Sequence, residues 1–383
     1  MSRSADHPDG ALYVGVMSGT SLDGIDVVLA DLAPAVPRVL TARTVPFEPS
    51  LRTRLASLCA PGAEGGAEDR IDALGEADTA LGHAIGEAVA ALLHEAAVPA
   101  SAVRAIGSHG QTVRHRPPPR PDPFTLQLGD PNVVAERTGL PVVADFRRRD
   151  LAAGGQGAPL VPAFHAAVFG AATDRVVVNV GGMANVTLIP GGRPEDATGF
   201  DTGPGNVLLD AWARRHLLAD RDEGGAWAGQ ATVDPALLAR LLDEPYFTAP
   251  PPKSTGREHF DLPWLEARLA GGAMPAPAAV QATLTELTAR TIADGIRAAA
   301  PLRPTEVLVC GGGRHNAVLM ERLAAALPET RVSTTDAHGL DGDWVEAVAF
   351  AWLAERRLAA LPGNLPAATG ASGPRILGAL YLP

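Results

Sequence analysis

The chain has 383 residues, 46% hydrophobic and 20% charged, which suits two domains with sizeable cores and excludes general disorder. Its 43 acidic against 32 basic residues leave a net charge of −11, which argues against a general nucleic-acid or anionic-membrane binder, since either needs a basic face. Cys59 and Cys310, the only cysteines, give neither a disulfide framework nor a metal-ligand spacing, and a reducing cytoplasm is the simpler setting.

Met1–Gly10 lacks an apolar signal segment, so secretion is not expected. No run approaches the roughly 18 apolar residues of a membrane span. The apolar runs Leu12–Met17 and Ile25–Leu32 flank a small-residue turn, Ser18–Gly24, and read as a buried β-hairpin. Ser18, Gly19, Thr20, Ser21 and Gly24 can line a concave anion site with hydroxyls and backbone N–H groups. Asp23 adds a carboxylate that could hold water around magnesium. The plain alternative is a polar turn without a ligand.

Val45–Ala60 reads as connector and helix, Ala60–Ala67 as a flexible loop, and Asp69–Ala97 as a long amphipathic helix packed on the first sheet. Val103–Ile106 reads as a buried strand ending in a polar loop that carries Ser108, His109, Gln111 and Thr112. Ligand sites of open α/β sheets lie beyond the carboxyl ends of strands, so these residues are candidates for a cleft. A structural histidine is the alternative for His109. Arg114–Pro123 is a proline-rich loop, Phe124–Asp130 a strand, Pro131–Thr138 a short helix and Leu140–Ala144 a strand. Beyond it Asp145, Arg147, Arg148, Arg149 and Asp150 cluster beside Gly154–Gly157, either as a site or as a solvated loop. Val161–Ala171 reads as a helix.

Arg175–Pro190 repeats the plan of the first hairpin: Val176–Val180 in, Gly181–Asn185 across, Val186–Ile189 out. Internal self-similarity of this kind suggests two homologous α/β lobes, each headed by a glycine turn. Gly199–Asp210 reads as irregular backbone holding Asp201 before a helix, Val207–Leu217. Asp201 is either a capping residue or the carboxylate that a kinase uses on its nucleophile. Pro250–Phe260 reads as an exposed loop carrying Lys253, the only lysine in the chain. Ala279–Ala299 is a long helix. Glu306–Cys310 is a strand entering Gly311–Gly313 and the helix Ala317–Leu327, a start that suits a nucleoside. Trp344–Leu358 is the last helix, with Glu346 near its start, and Ala379–Leu382 a closing strand.

Seven motifs in order, MSGTSLDGID at 17–26, GSHGQT at 107–112, ADFRRRDLAAGGQGAPLVP at 144–162, NVGGMANVT at 179–187, GFDTGPGN at 199–206, PPKSTGRE at 251–258 and CGGGRHN at 310–316, resemble the anhydro-N-acetylmuramic acid kinase family. The resemblance implies an α/β fold of two actin-like (ribonuclease H-like) lobes around a central nucleotide and substrate cleft. It implies an N-terminal lobe of 1–140 plus 358–383 and a C-terminal lobe of 141–357. It implies a cytoplasmic kinase of cell-wall recycling that takes 1,6-anhydro-N-acetylmuramic acid, ATP and water to N-acetylmuramic acid 6-phosphate and ADP. Asp201 is then the general base. ATP falls to Gly15, Ser18, Gly19, Thr20, Ser21 and Asp23, to Gly181, Gly182 and Asn185, and to Gly311, Gly312, Gly313 and Asn316. The sugar falls to His109, Gln111, Arg147, Asp150 and Glu346. Mg²⁺ is expected on the phosphates and water, with its direct ligands unassigned. The expected partner is the small sugar, with neither nucleic acid nor membrane, and a homodimer is left open. Another sugar kinase of the same superfamily shares the physical reasoning up to the family match. An ATP-gated interaction module is the remaining alternative.

Overall fold

The apolar runs on either side of the first glycine turn form an antiparallel pair, β1 (Leu12–Ser18) and β2 (Gly24–Asp31), in the register Gly15↔Val28. They belong to a computed structural model that describes residues 11–19, 22–59, 70–257, 259–299 and 301–383. The chain divides into two compact units, Met1–Phe164 with Trp344–Pro383, and His165–Asp343.

In the first unit β3 (Arg38–Pro46) pairs with β2, β4 (Val103–Arg116) lies parallel to β1, β5 (Phe124–Leu128) pairs back on β4, and β6 (Val142–Ala144) lies parallel to β4. The C-terminal strand Ala379–Tyr381 pairs with β6, so the sheet runs C-terminal strand–β6–β4–β1–β2–β3. Helix Arg70–Glu95 presents Ala77, Leu81, Ile85, Ala88 and Leu92 to one sheet face, in a core with Val14, Val16, Ile25 and Ile106. That spacing is one stripe of a 3.6-residue helix, and each fully buried Leu or Ile contributes roughly 1.5–3 kcal/mol.

Helix Val345–Leu358 packs on β1 and β4. The approach is so close that a Cβ on Gly15 would lie 1.9 Å from the Ala347 carbonyl oxygen. One on Gly107, the register partner of Gly15, would lie 2.0 Å from that of Phe350. Only a residue without a side chain fits at these two crossings.

In the second unit β7 (Arg175–Val180), β8 (Met183–Ile189) and β9 (Thr198–Pro204) form an antiparallel meander. Then β10 (Glu306–Cys310) lies parallel to β7, and β11 (Arg331–Thr334) parallel to β10. The order β9–β8–β7–β10–β11 repeats β3–β2–β1–β4–β6 strand for strand and direction for direction. Its core packs Val178, Val186, Val307 and Val309 with Ile292 and Ile296 of helix Pro277–Ala298 and Leu323 of helix Ala317–Ala326. A separate cluster gathers Trp212, Leu237, Leu241, Phe260, Leu265 and Leu284.

Several elements differ from the sequence reading. The polar stretch Gly107–Thr112 is strand rather than loop, because Ser18 of β1 pairs with Gln111 and β5 pairs with Gln111–Arg116. Residues Thr198–Pro204 are strand rather than irregular backbone, held by β8. The second turn narrows to Gly181–Gly182, with Asn185 on β8. Strands β3 and β11 were not expected: both carry half-exposed polar residues and lack an apolar run. The segment expected as an exposed loop, Pro250–Phe260, contains half-buried Lys253, Ser254 and Thr255 and a fully buried Phe260. The divisions between units fall at 164 and 344 rather than 140 and 357, since β6 joins the first sheet and helix Val345–Leu358 packs on it. The loop expected at 60–67 lies outside the described residues.

Candidate active site

Register brings Ser18, at the end of β1, beside Gln111 of β4. The Ser18 hydroxyl donates to Oε1 of Gln111, 93 residues away, and both side chains are buried. Two residues earlier on β4, the His109 ring lies 4.7 Å from the Phe350 ring. Arg147 donates to His109 Nε2 from Nε at 3.1 Å and from Nη2 at 2.9 Å, and to the Gly157 carbonyl at 2.8 Å. An arginine cannot accept, so His109 Nε2 is the acceptor and the ring proton sits on Nδ1. Burial first, and the Arg147 charge second, hold the His109 pKa well below the ordinary histidine value. Glu346 is half-buried in the first turn of helix Val345–Leu358, and Asp23 is exposed on the turn. Thr20 and Ser21 lie outside the described residues.

Two further first-unit candidates, Asp150 and Gly15, are packed against other parts of the same unit. Asp150 is fully buried, and three groups fill its carboxylate: Asn364 Nδ2 at 2.7 Å, Thr369 Oγ1 at 2.8 Å and the Gly157 amide at 2.8 Å. It ties the glycine loop to the C-terminal segment. Gly15 lies beneath helix Val345–Leu358, so its missing side chain serves packing.

In the second unit the carbonyls of Gly181 and Gly182 accept the amides of Gly205, Asn206 and Val207 at 2.9–3.1 Å. The second glycine turn is thereby seated on the start of helix Val207–Leu217, and Asn206 Nδ2 donates to the Val180 carbonyl at 3.1 Å. A helix start carries partial positive charge and favours an anion. Asn185 of β8 is the register partner of Asp201 on β9. Asp201 is half-buried; its Oδ2 accepts the Thr255 amide at 3.0 Å, its carbonyl accepts the Tyr246 hydroxyl at 2.8 Å, and its amide donates to the Lys253 carbonyl at 3.2 Å. Tyr246 and Thr255 were not among the sequence candidates; the motif PPKSTGRE and its Lys253, the only lysine in the chain, were the signals for that segment.

The triple glycine divides by function. Gly311 has φ +78° and faces Asn179 Oδ1, while Gly313 packs on Val180. A Cβ on Gly312 would meet only Asn206 Nδ2, at 3.8 Å. Asn316 Oδ1 caps helix Ala317–Ala326 by accepting the Leu319 amide at 3.0 Å. Among the described residues no group of three or more His, Cys, Asp or Glu is placed to hold a metal ion, and no helix is long and apolar enough to cross a membrane.

Two units with one strand order, each opening on a hairpin with a glycine turn, define an α/β protein of the actin-like, ribonuclease H-like class. A family model described as anhydro-N-acetylmuramic acid kinase matches residues 11–383. The chain is 53% identical to the anhydro-N-acetylmuramic acid kinase of Bordetella petrii, over 97% of this chain and 96% of that one. It is 52% identical to that of Xanthomonas axonopodis pv. citri, over 98% and 99%, and 49% identical to that of Saccharophagus degradans, over 97% and 99%. The chain belongs to the anhydro-N-acetylmuramic acid kinase family.

Proposed function

We propose that this chain is the ATP-dependent kinase that hydrolytically opens 1,6-anhydro-N-acetylmuramic acid and phosphorylates O6, giving N-acetylmuramic acid 6-phosphate and ADP in cytoplasmic cell-wall recycling. The anhydro sugar has no free 6-hydroxyl, so water must add at C1 as the C1–O6 bond breaks. The released O6 forms the bond to the γ-phosphorus, and the bond from that phosphorus to ADP breaks. Of the two water protons, one stays on the new C1 hydroxyl and the other passes to Asp201 as general base.

The observation that carries this role is the hold on Asp201. Its amide, carbonyl and carboxylate each have a fixed partner in segment 246–255, so the carboxylate enters the reaction already oriented. In the second unit the proposal gives phosphates to the Gly181–Gly182 turn, beside the start of helix Val207–Leu217, and the nucleoside to the open side of Gly312. In the first unit it gives phosphates to the Ser18–Asp23 turn, and the sugar with its lactyl carboxylate to His109, Gln111, Arg147 and Glu346. The exposed Asp23 carboxylate fits a hydrated Mg²⁺, which would neutralise phosphate charge when bound.

The test is ADP release with ATP, Mg²⁺ and 1,6-anhydro-N-acetylmuramic acid, beside N-acetylmuramic acid and N-acetylglucosamine, with product mass. Turnover on the anhydro sugar alone, with one water gained by the product, is expected. Turnover only on a sugar with a free 6-hydroxyl would make this an ordinary sugar kinase.

A further inference from the structure

Asp201 is held by segment 246–255, and that segment is itself closed by one side chain. Lys253 Nζ turns back to donate to the carbonyls of Tyr246 and Phe247, each at 3.0 Å. It lies 4.8 Å from the centroid of the Tyr246 ring and 5.7 Å from that of Phe200. The two carbonyls belong to the short helix Pro245–Thr248, where a cation is favoured. The same lysine contributes its own carbonyl to the Asp201 amide, and Tyr246 contributes its hydroxyl to the Asp201 carbonyl.

Residue choice carries information here. Every other member of the chain's lysine and arginine set is arginine. Two adjacent carbonyls converging on one point suit a compact, rotatable ammonium, whereas a planar guanidinium fork spreads its donors apart. Burial lowers the Lys253 pKa, and the Asp201 charge opposes that shift.

We infer that Lys253 is a positioning residue for Asp201: its ammonium closes segment 246–255 into a buckle that sets the direction of the Asp201 carboxylate. The inference rests on the assignment of Asp201 as the base. Lys253 itself touches no reacting atom.

Steady-state kinetics of the full chain test it, with Lys253→Ala, Lys253→Arg and Asp201→Asn beside wild type. Lys253→Ala is expected to lower kcat about 100-fold through misplacement of the base, with both KM values unchanged. Added propylammonium, which replaces the missing end of the side chain, is expected to restore most of that loss. A wild-type kcat, a loss appearing only in KM, or a loss that propylammonium leaves untouched would each overturn the inference. Should Lys253→Ala not fold by circular dichroism, Lys253→Arg carries the test. A fall in kcat alone supports the buckle, and any other result overturns it. If Asp201→Asn turns over normally, the base assignment itself fails. If Asp201→Asn is inactive while Lys253→Ala is normal, only the role of Lys253 fails.

Discussion

Arg147 and His109 meet as donor and acceptor, with the guanidinium Nη2 2.9 Å from the imidazole Nε2. The pair joins β4 to the loop that Asp150 fastens to the C-terminal segment, and the Arg147 charge adds to burial in holding the His109 pKa well below the ordinary histidine value. Replacing Arg147 by Met removes the fork proposed for the lactyl carboxylate. The KM for the anhydro sugar is expected to rise about 10–100-fold, the worth of a hydrogen-bonded charge, with the KM for ATP unchanged. Initial-rate kinetics in both substrates check it, and an unchanged sugar KM would remove Arg147 from the sugar site.

Asp201→Asn keeps the shape of the side chain and its bond from the Thr255 amide but removes the base. Turnover is expected to fall about 10²–10⁴-fold while ATP binding, measured by calorimetry, is retained. Normal turnover in this variant would sink the assignment.

Gly107→Ala places a Cβ 2.0 Å from the Phe350 carbonyl oxygen, a backbone atom that cannot swing aside. A loss of about 3 kcal/mol is expected. Gly75→Ala is the contrast. That residue is exposed in helix Arg70–Glu95, and its added Cβ would meet nothing within 4 Å, so a gain of about 0.5–1 kcal/mol is expected from helix propensity. Urea unfolding of both variants measures the difference, and equal effects would remove the role given to the close helix crossing.

Burial depresses the pKa of His115 to about 4 and that of His165 to about 3, against 6.5 for the free side chain, and His109 is shifted the same way. These groups stay neutral in the fold and take up protons on unfolding. Stability is therefore full above pH 6.5 and falls as pH drops below it. The fall at pH 5 is expected to be about 2 kcal/mol for each of His115 and His165. Denaturant midpoints at pH 7.5 and 5 test this, and a His165→Gln variant should show a shallower decline. An unchanged slope in that variant would mean that His165 is not buried neutral.

Much of the scaffold is legible from local chemistry alone. Both hairpins follow from apolar runs on either side of glycine turns. Helix Pro131–Thr138 is announced by Asp130 as its cap, Pro131 at its first turn and Gly139 at its end. Helix Val207–Leu217 has the limits read from its sequence. The family motifs also named Asp201 before its surroundings were known.

Partners distant in the chain decided the rest. Gly107–Thr112 and Thr198–Pro204 have the composition of loops, and become strands because β1, β5 and β8 supply their hydrogen bonds. The close approach of the Ala347 carbonyl to Gly15 is likewise invisible in the local sequence. Nothing local to Asp150 announces its bond from Asn364, 214 residues further on. Lys253 stands out in the sequence by its rarity, and its hydrogen bonds to the Tyr246 and Phe247 carbonyls are seen only in the structure. Periodicity, caps and turn residues record what a segment does with its own backbone and whether a face is apolar. They carry no record of which remote atoms meet a polar group, and in this protein those meetings place the candidate site.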